Sequence, residues 1–132
     1  MKYLAVLLLA LLVFACDESG FGYEDPNLPD PPDPPVTTYP RDGQWLSYAY
    51  PDTVTLAWTE VIGANTYDVV VYSDSNLVRI HAQGESLLRT NLDVVFPLWG
   101  VFYWRVRAKS TRWKGGYTDW SPTVSFIKPN PI

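Results

Sequence analysis

Two-residue alternation in the stretch VFYWRVRAK, residues 101–109, constrains the fold of this chain more than any other feature. Apolar side chains occupy every second position: Phe102, Trp104, Val106 and Ala108. Polar, aromatic or charged side chains occupy the positions between them: Tyr103, Arg105, Arg107 and Lys109. Because successive side chains of a strand face opposite sides of a sheet, this pattern predicts a β-strand with the first set buried and the second exposed.

Short strands are also predicted elsewhere in the chain, each bounded by turn residues. Residues 53–59 place Val54, Leu56 and Trp58 on one face. Other predicted strands include residues 66–72 and 77–82, a short segment through Leu87 and Leu88, and residues 121–127. No segment after the first fifteen residues shows a helical period. Seven short strands in about 95 residues predict an all-β fold, a β-sandwich.

The first fifteen residues predict a secretory signal peptide. Lys2 precedes an apolar run that ends at Ala15. As a helix this run spans only about 20 Å, too short for the roughly 30 Å core of a membrane. The stretch Val13-Phe14-Ala15-Cys16 resembles the lipobox of bacterial lipoproteins, although Phe14 replaces the usual small or hydroxyl residue. The resemblance implies lipid attachment at Cys16, and the alternative is an ordinary signal peptide with an incidental or buried thiol.

Residues 16–35 are predicted to be the lipidated cysteine followed by an acidic, proline-rich tether. The stretch PNLPDPPDPP, residues 26–35, has six prolines in ten positions, which excludes helix and sheet and favours extended polyproline II. From Asp17 to Pro35 such a chain reaches up to about 60 Å. The segment is interpreted as a stalk, and the alternative is a disordered leader with no length requirement.

The remaining residues, 36–132, resemble a fibronectin type III domain of bacterial surface and secreted proteins. The resemblance covers residues 36–128 and rests on TLAWTEVIGANTYDVVVYSD, then YWRVRAKS, then WSPTVSF. It implies a seven-stranded Greek-key sandwich without catalytic machinery. Phe102 stands where that family usually has a tyrosine whose hydroxyl makes a corner hydrogen bond, worth about 1 kcal/mol.

Charge and residue types exclude several classes of function. Residues 16–35 hold six acids and no base, and the chain from Val36 onward has eight acids against nine lysines and arginines. A nearly neutral domain lacks the basic surface of a nucleic-acid-binding protein. The chain has one histidine, His81, expected to be an exposed strand residue, and Asp74 is expected to form a turn. We therefore predict no enzymatic activity, no cofactor and no metal site.

Two surfaces are candidates for binding. The first is the outward face of two predicted strands, with Val70, Tyr72, Tyr103, Arg105, Arg107 and Lys109. Its aromatic rings and arginines could bind a partner or simply stabilise a solvated sheet face. The second is the loop STRWKGGYTDW, residues 110–120, with Arg112, Trp113, Lys114 and Tyr117. Trp113 either stands exposed at the loop tip or folds back over the sheet, for example onto Arg105 or Arg107.

The resemblance further implies that this loop lies at the end of the sandwich where the tether enters. Trp99 is a weaker candidate contact of the same kind, and Trp120 is expected to pack on the sandwich.

Together these features predict a lipid-anchored, non-catalytic module of the bacterial cell envelope that binds a protein or glycan partner. The alternatives are a structural spacer or assembly subunit, or an accessory lipoprotein of an envelope transport or secretion complex. The outer membrane or cell surface is the favoured location. Asp17, directly after the cysteine, leaves the inner membrane as the other location, because an acid there resembles an inner-membrane retention signal.

Overall fold

Two β-sheets face each other across one apolar core. In the computed structural model, which describes residues 25–47 and 52–130, eight strands form these sheets. Their bounds are Thr37–Tyr39 (β1), Gln44–Trp45 (β2), Thr53–Trp58 (β3), Thr66–Tyr72 (β4), Ile80–Leu87 (β5), Asn91–Val95 (β6), Gly100–Lys109 (β7) and Val124–Lys128 (β8).

The strand order confirms the predicted all-β sandwich. One sheet has the order β1-β3-β6, and the other has the order β2-β8-β7-β4-β5. All pairings are antiparallel except that of β2 with β8, which is parallel. β1 is an edge strand of the three-stranded sheet and β2 is an edge strand of the five-stranded sheet. The chain therefore passes from one sheet to the other between them. This division explains why eight short strands stand where seven were predicted.

Three of the predicted strands agree with the structure to within one residue, and two begin elsewhere. β3, β4 and β7 lie where alternation places them. The strand predicted over residues 77–82 begins only at Ile80, because the Asp74 carboxylate accepts hydrogen bonds from the backbone N–H groups of Val78 and Arg79 and holds that segment in a turn. The same chain then runs on to Leu87, and a separate strand, β6, follows it. The last strand starts at Val124 rather than Ser121.

Alternation along β7 assigns its side chains to the correct faces. Phe102, Trp104 and Val106 are buried in the core, while the residues between them lie on the outer side of the five-stranded sheet. Aromatic rings fill much of the core: Phe96 lies 4.6 Å from Phe102 and 5.3 Å from Phe126 between ring centroids. Such pairs add about 0.5–1.5 kcal/mol each beyond their burial.

Part of the proline-rich segment lies against the sandwich. The Pro29 carbonyl accepts a hydrogen bond of 2.8 Å from the backbone N–H of Lys114, and Pro35 is fully buried. The segment therefore enters at the end of the sandwich that carries the connection between β7 and β8, as the resemblance implied. We call this the N-terminal end, and the opposite one the distal end. Cys16 and the predicted signal peptide lie outside the described residues.

Candidate functional site

Arginines and aromatic rings alternate in one row on the outer face of the five-stranded sheet. The Arg105 guanidinium carbon lies 5.7 Å from the ring centroid of Tyr72 and 4.6 Å from that of Trp120. The Arg107 guanidinium carbon lies 4.5 Å from the Trp120 centroid and 3.7 Å from the Tyr117 centroid. The order is thus Tyr72, Arg105, Trp120, Arg107, Tyr117, which we call the ladder. Each cation–π contact contributes about 0.5–1 kcal/mol at an exposed site.

The segment before β8 positions the aromatic half of the ladder. Residues 117–121 run beside β7 without forming a regular strand. The Thr118 hydroxyl accepts a hydrogen bond of 3.1 Å from the backbone N–H of Ala108, and the Ser121 hydroxyl accepts one of 3.0 Å from that of Val106. Because these side chains replace backbone carbonyls as partners of β7, the chain stays close to β7 and places the Trp120 ring between the two arginines.

Asp68 anchors the positive side of the ladder. Its carboxylate lies 3.1 Å from Arg107 Nε and 3.1 Å from Lys109 Nζ, and it accepts a hydrogen bond of 3.0 Å from the backbone N–H of Ser86. Burial raises the pKa of Asp68, but the Ser86 hydrogen bond and the two cations outweigh burial and hold the pKa below its ordinary value. Asp68 is thus an ionised group that compensates the cations of β7.

An open pocket of about 280 Å³ adjoins the ladder at the N-terminal end. It is lined by Asn65, Thr66, Ser86, Lys109, Ser110, Thr111, Gly116 and Tyr117. Tyr117 is 42% exposed, with the Arg107 guanidinium against its ring. Lys109 is held by Asp68 and by the Ser86 hydroxyl, 2.8 Å from its Nζ. The pocket thus combines an aromatic ring with hydroxyl, amide and ammonium groups.

Trp113 is not exposed at a loop tip, contrary to one of the two alternatives for it. The side chain folds back and is only 6% exposed, but it joins the core rather than stacking on Arg105 or Arg107. Its indole lies against Gly63 in the turn between β3 and β4, where a Cβ would come within 3.6 Å of the ring. Gly63 has a φ of +91°, a conformation that other residues adopt only with strain. Trp113 is therefore a core residue that closes the N-terminal end.

The other sequence-predicted residues divide between the two ends of the sandwich. Arg112 and Lys114 are exposed beside the buried Trp113. Tyr103 is half-buried on the outer face nearer the distal end, and Trp99 is exposed at that end. The structure thus brings Tyr72, Arg105, Arg107 and Tyr117 together but leaves Trp113 out.

Two members of this arrangement were missed by sequence reasoning. Trp120 was expected only to pack on the sandwich, and Asp68 was not considered. Asp68 lies between the buried Tyr67 and Val69, so its position in the alternation of β4 places it on the outer face, opposite Arg107 of β7. That signal is present in the sequence once the strand pairing is known. The position of the Trp120 ring depends on the two hydroxyl hydrogen bonds, which no local pattern indicates.

His81 and Asp74 have structural surroundings. His81 is half-buried rather than exposed: its ring stacks on Phe96 at 4.7 Å, and Nε2 donates to the Val95 carbonyl at 2.9 Å. Asp74 forms the expected turn, and the hydrogen bond from the Arg79 backbone N–H is the main reason why its pKa is lowered. Within residues 25–47 and 52–130, no three His, Cys, Asp or Glu side chains are grouped as metal ligands require. None of the secondary structure in those ranges is a helix long and apolar enough to span a membrane.

Solved structures with the same architecture decide the fold. A Fn3-like protein from Clostridium thermocellum matches with a TM-score of 0.51 and 22% identity, covering 75% of this chain and 95% of that one. The fold is fibronectin type III-like. FN3tt matches with a TM-score of 0.49 and 18% identity, covering 74% of this chain and 97% of that one.

The fibronectin type-III domain of human fibronectin type III domain containing protein 3 matches with a TM-score of 0.48 and 15% identity. The match covers 83% of this chain and 94% of that one. No family model matches the sequence, and no curated protein matches it.

Proposed function

We propose that this chain is a lipid-anchored, non-catalytic module of the bacterial cell envelope that binds a glycan of that envelope. The lipobox-like stretch ending at Cys16 supports the anchor. The pocket beside the ladder supports the binding role, and the exposed Tyr117 ring is the single observation that carries it.

Tyr117 has the properties of a preformed contact residue. Its ring is fixed by the Arg107 guanidinium at 3.7 Å, and Arg107 is fixed in turn by Asp68. A ligand that covers the exposed part of the ring therefore orders little that is not already ordered, which lowers the entropic cost of binding. A rigid aromatic with a hydroxyl at its edge suits a ligand that has both apolar and hydrogen-bonding surfaces.

The pocket lining favours a glycan over an anionic or purely apolar ligand. Hydroxyl and amide groups come from Ser86, Thr111 and Asn65, and the one cation, Lys109, is already paired with Asp68. A binding site that fixes its ligand with a few convergent polar groups beside an aromatic ring fits a polyhydroxylated molecule. Its small volume suits one or two sugar units rather than a folded protein surface.

The anchor is tested by metabolic labelling with radioactive palmitate. We expect label on the natural chain and none on Cys16→Ala, which should also leave the membrane fraction. A Cys16→Ala chain that stays labelled and membrane-bound would show that the anchor is not at this cysteine.

The binding role is tested by retention of the protein on insoluble cell-wall glycan. Tyr117→Ala should reduce retention about tenfold or more, because an aromatic contact worth 1–2 kcal/mol is lost. Ile62→Ala is the matched control, since Ile62 is 90% exposed at the same end but lies outside the pocket lining. Equal retention of the two variants contradicts a glycan role for Tyr117. Tyr117-dependent capture of a protein instead indicates a protein partner.

A structural spacer is the second candidate function. It is favoured by the ladder itself, since the cations of the ladder stack on aromatic rings or pair with Asp68 inside the domain and need no partner. Under this alternative, Tyr117→Ala changes nothing, whereas shortening the segment between Cys16 and the domain impairs the function of the cell envelope.

A further inference from the structure

The distal end of the five-stranded sheet carries an apolar surface on its outer face. Pairing registers place its members side by side: Trp45 beside Ile127 and Ile127 beside Val101, then Tyr103 beside Tyr72 and Tyr72 beside Ile80. Trp99 is also exposed and directly precedes β7 at the same end of the sandwich. We call this surface the distal band, made of Trp45, Ile80, Trp99, Val101, Tyr103 and Ile127. With strands about 4.8 Å apart, it has members on four of the five strands, to either side of Tyr72 on β4, and spans roughly 20 Å.

Large side chains of the distal band are exposed. Trp45 is 65% exposed and Trp99 is 61% exposed, and Ile80 and Val101 are also exposed. At up to about 250 Å² for a tryptophan, the two indoles alone present about 300 Å² to solvent. The largest apolar patch of a typical monomer measures about 300–600 Å² and is often functional, so the distal band falls within the range of an interaction surface. With its aliphatic members, the band reaches the size of a small, transient interface.

The charges around the band favour a neutral partner. None of its six residues is charged, and Arg105, the next outward residue of β7 after Tyr103, stacks on Tyr72 and Trp120. The domain from Val36 onward is nearly neutral, with eight acids against nine bases, so two copies do not repel each other.

We propose that the distal band binds the distal band of a second copy of this chain. When a two-fold axis parallel to the strands relates the two copies, the same neutral apolar patch of each copy contacts that of the other. This arrangement also leaves both N-terminal ends pointing in the same direction, because the band and the entering chain lie at opposite ends of the sandwich. Two copies anchored in one membrane, as proposed above, can therefore pair without crossing their anchors.

The expected association is weak in solution. An interface below about 1,200 Å² in total is typical of transient complexes. Confining two copies to one membrane raises their effective concentration, by the same principle that gives about millimolar values for linked modules, and so favours the pair. The pairing itself depends on the fold and the band, and only this last enhancement rests on the proposed anchor.

Single introduced cysteines in the full chain test the proposal, because Cys16 is the only natural one. Trp45→Cys, Ile80→Cys and Val101→Cys probe the band, Ile62→Cys at the N-terminal end is the control, and the unaltered chain measures any bridging through Cys16. A short bismaleimide is applied to cells that produce each chain, whichever fraction holds it. We expect at least one band position to give a covalent dimer about tenfold more abundant than Ile62→Cys does.

The disruptive variant Trp99→Asp, added to the best band cysteine, should remove most of that dimer, since it buries a charge in an apolar contact. Its exposed position leaves folding intact, which circular dichroism checks. Dimer yields equal to the control, or unaffected by Trp99→Asp, overturn the proposal, and an adduct with a different protein assigns the band to that protein instead. Absence of palmitate label would contradict only the proposed lipid anchor, and absence of the dimer would contradict only the proposed pairing through the distal band.

Discussion

Asp68 is the residue on which the charged half of the outer face depends. It is buried, yet it is surrounded by a backbone N–H donor and two cations that keep it ionised. A buried carboxylate with that many partners is stabilising only while all of them remain, since removing one member of such a group leaves the others uncompensated.

Asp68→Asn should lower the free energy of unfolding at neutral pH by about 2 kcal/mol, because Arg107 and Lys109 lose a charged partner in a half-buried place. The pKa of Asp68 is lowered by folding, so its stabilisation is present above the ordinary value of 3.8 and is lost as pH falls through the folded pKa. The difference between the two proteins should therefore shrink in acid. Denaturant unfolding from neutral pH down to the acid limit measures it, with the exposed Asp119→Asn as control. A constant difference would contradict this account.

Trp113 is expected to matter for stability rather than for contact with a partner. Trp113→Ala removes a ring that is buried against Gly63 and should cost about 3–5 kcal/mol of unfolding free energy. Arg112→Ala, at the exposed neighbouring position, should stay within about 0.5 kcal/mol. Thermal and urea unfolding measure both. If Trp113→Ala were as stable as the natural chain, the indole would not be part of the core.

Tyr67 makes a corner hydrogen bond of the kind that Phe102 cannot make. Its hydroxyl accepts a hydrogen bond of 3.0 Å from the buried backbone N–H of Val61, six residues upstream. Tyr67→Phe should therefore cost about 1–3 kcal/mol, because that N–H is left unpaired. Phe102→Tyr should be neutral or slightly stabilising, and a loss of several kcal/mol would mean that a hydroxyl does not fit at this place. Urea unfolding of both variants compares them directly.

The edge of β7 is built differently along its two halves. From Gly100 to Trp104 it pairs with β8 in a regular ladder, and beyond that point the hydroxyls of Thr118 and Ser121 accept its N–H groups. The backbone N–H groups of the same two residues donate to the carbonyls of Ala108 and Val106. This mixed edge is what brings the Trp120 ring over the arginines.

Ser121→Ala should leave the buried N–H of Val106 without an acceptor and cost about 1–3 kcal/mol. Hydrogen exchange at the Val106 amide should accelerate by more than at amides of β3, since the loss is local. Thr123→Ala, exposed two residues further along, is the control and should change neither quantity. Unchanged protection of Val106 would mean that the hydroxyl is not its partner.

The elements differ in how far local sequence determines them. Alternation in residues 101–109 predicted both the strand and its faces, because the inward position of Trp104 and the outward position of Arg105 follow from strand geometry alone. The start of β5 could not be predicted in this way, since it depends on the Asp74 carboxylate reaching the N–H groups of Val78 and Arg79. The burial of Trp113 depends on Gly63, fifty residues away in the chain, and so on tertiary packing. Four of the five ladder residues were predicted as candidates, on two separate surfaces, but Trp120 and the order along the row were not, for the same reason.

The whole molecule has two unlike ends. At the N-terminal end, the indole of Trp113 is buried, Arg107 and Lys109 pair with Asp68, and the entering chain lies on the surface. At the distal end, Trp45 and Trp99 are exposed beside aliphatic side chains. The polar pocket thus lies near the point where the chain enters the domain, and the apolar surface lies at the opposite end.

The residue at which the tether ends and the folded domain begins can be tested by truncation. The sequence predicts that the domain starts at Val36, but Pro35 is buried and Pro29 accepts the Lys114 hydrogen bond. A protein starting at Val36 lacks both contacts and should be about 2 kcal/mol less stable than one starting at Asp25, or about 10 °C lower in Tm.

A third protein, starting at Leu28, shows whether such a loss of stability comes from residues 25–27 or from residues 28–35. It keeps Pro29 and Pro35 and should match the Asp25 start in calorimetry, because the residues removed make only local hydrogen bonds. If all three proteins melt together, the prolines add nothing to the domain and the stalk extends to Val36. If only the shortest melts early, residues 29–35 belong to the domain, and any stalk is limited to the residues between Cys16 and Leu28.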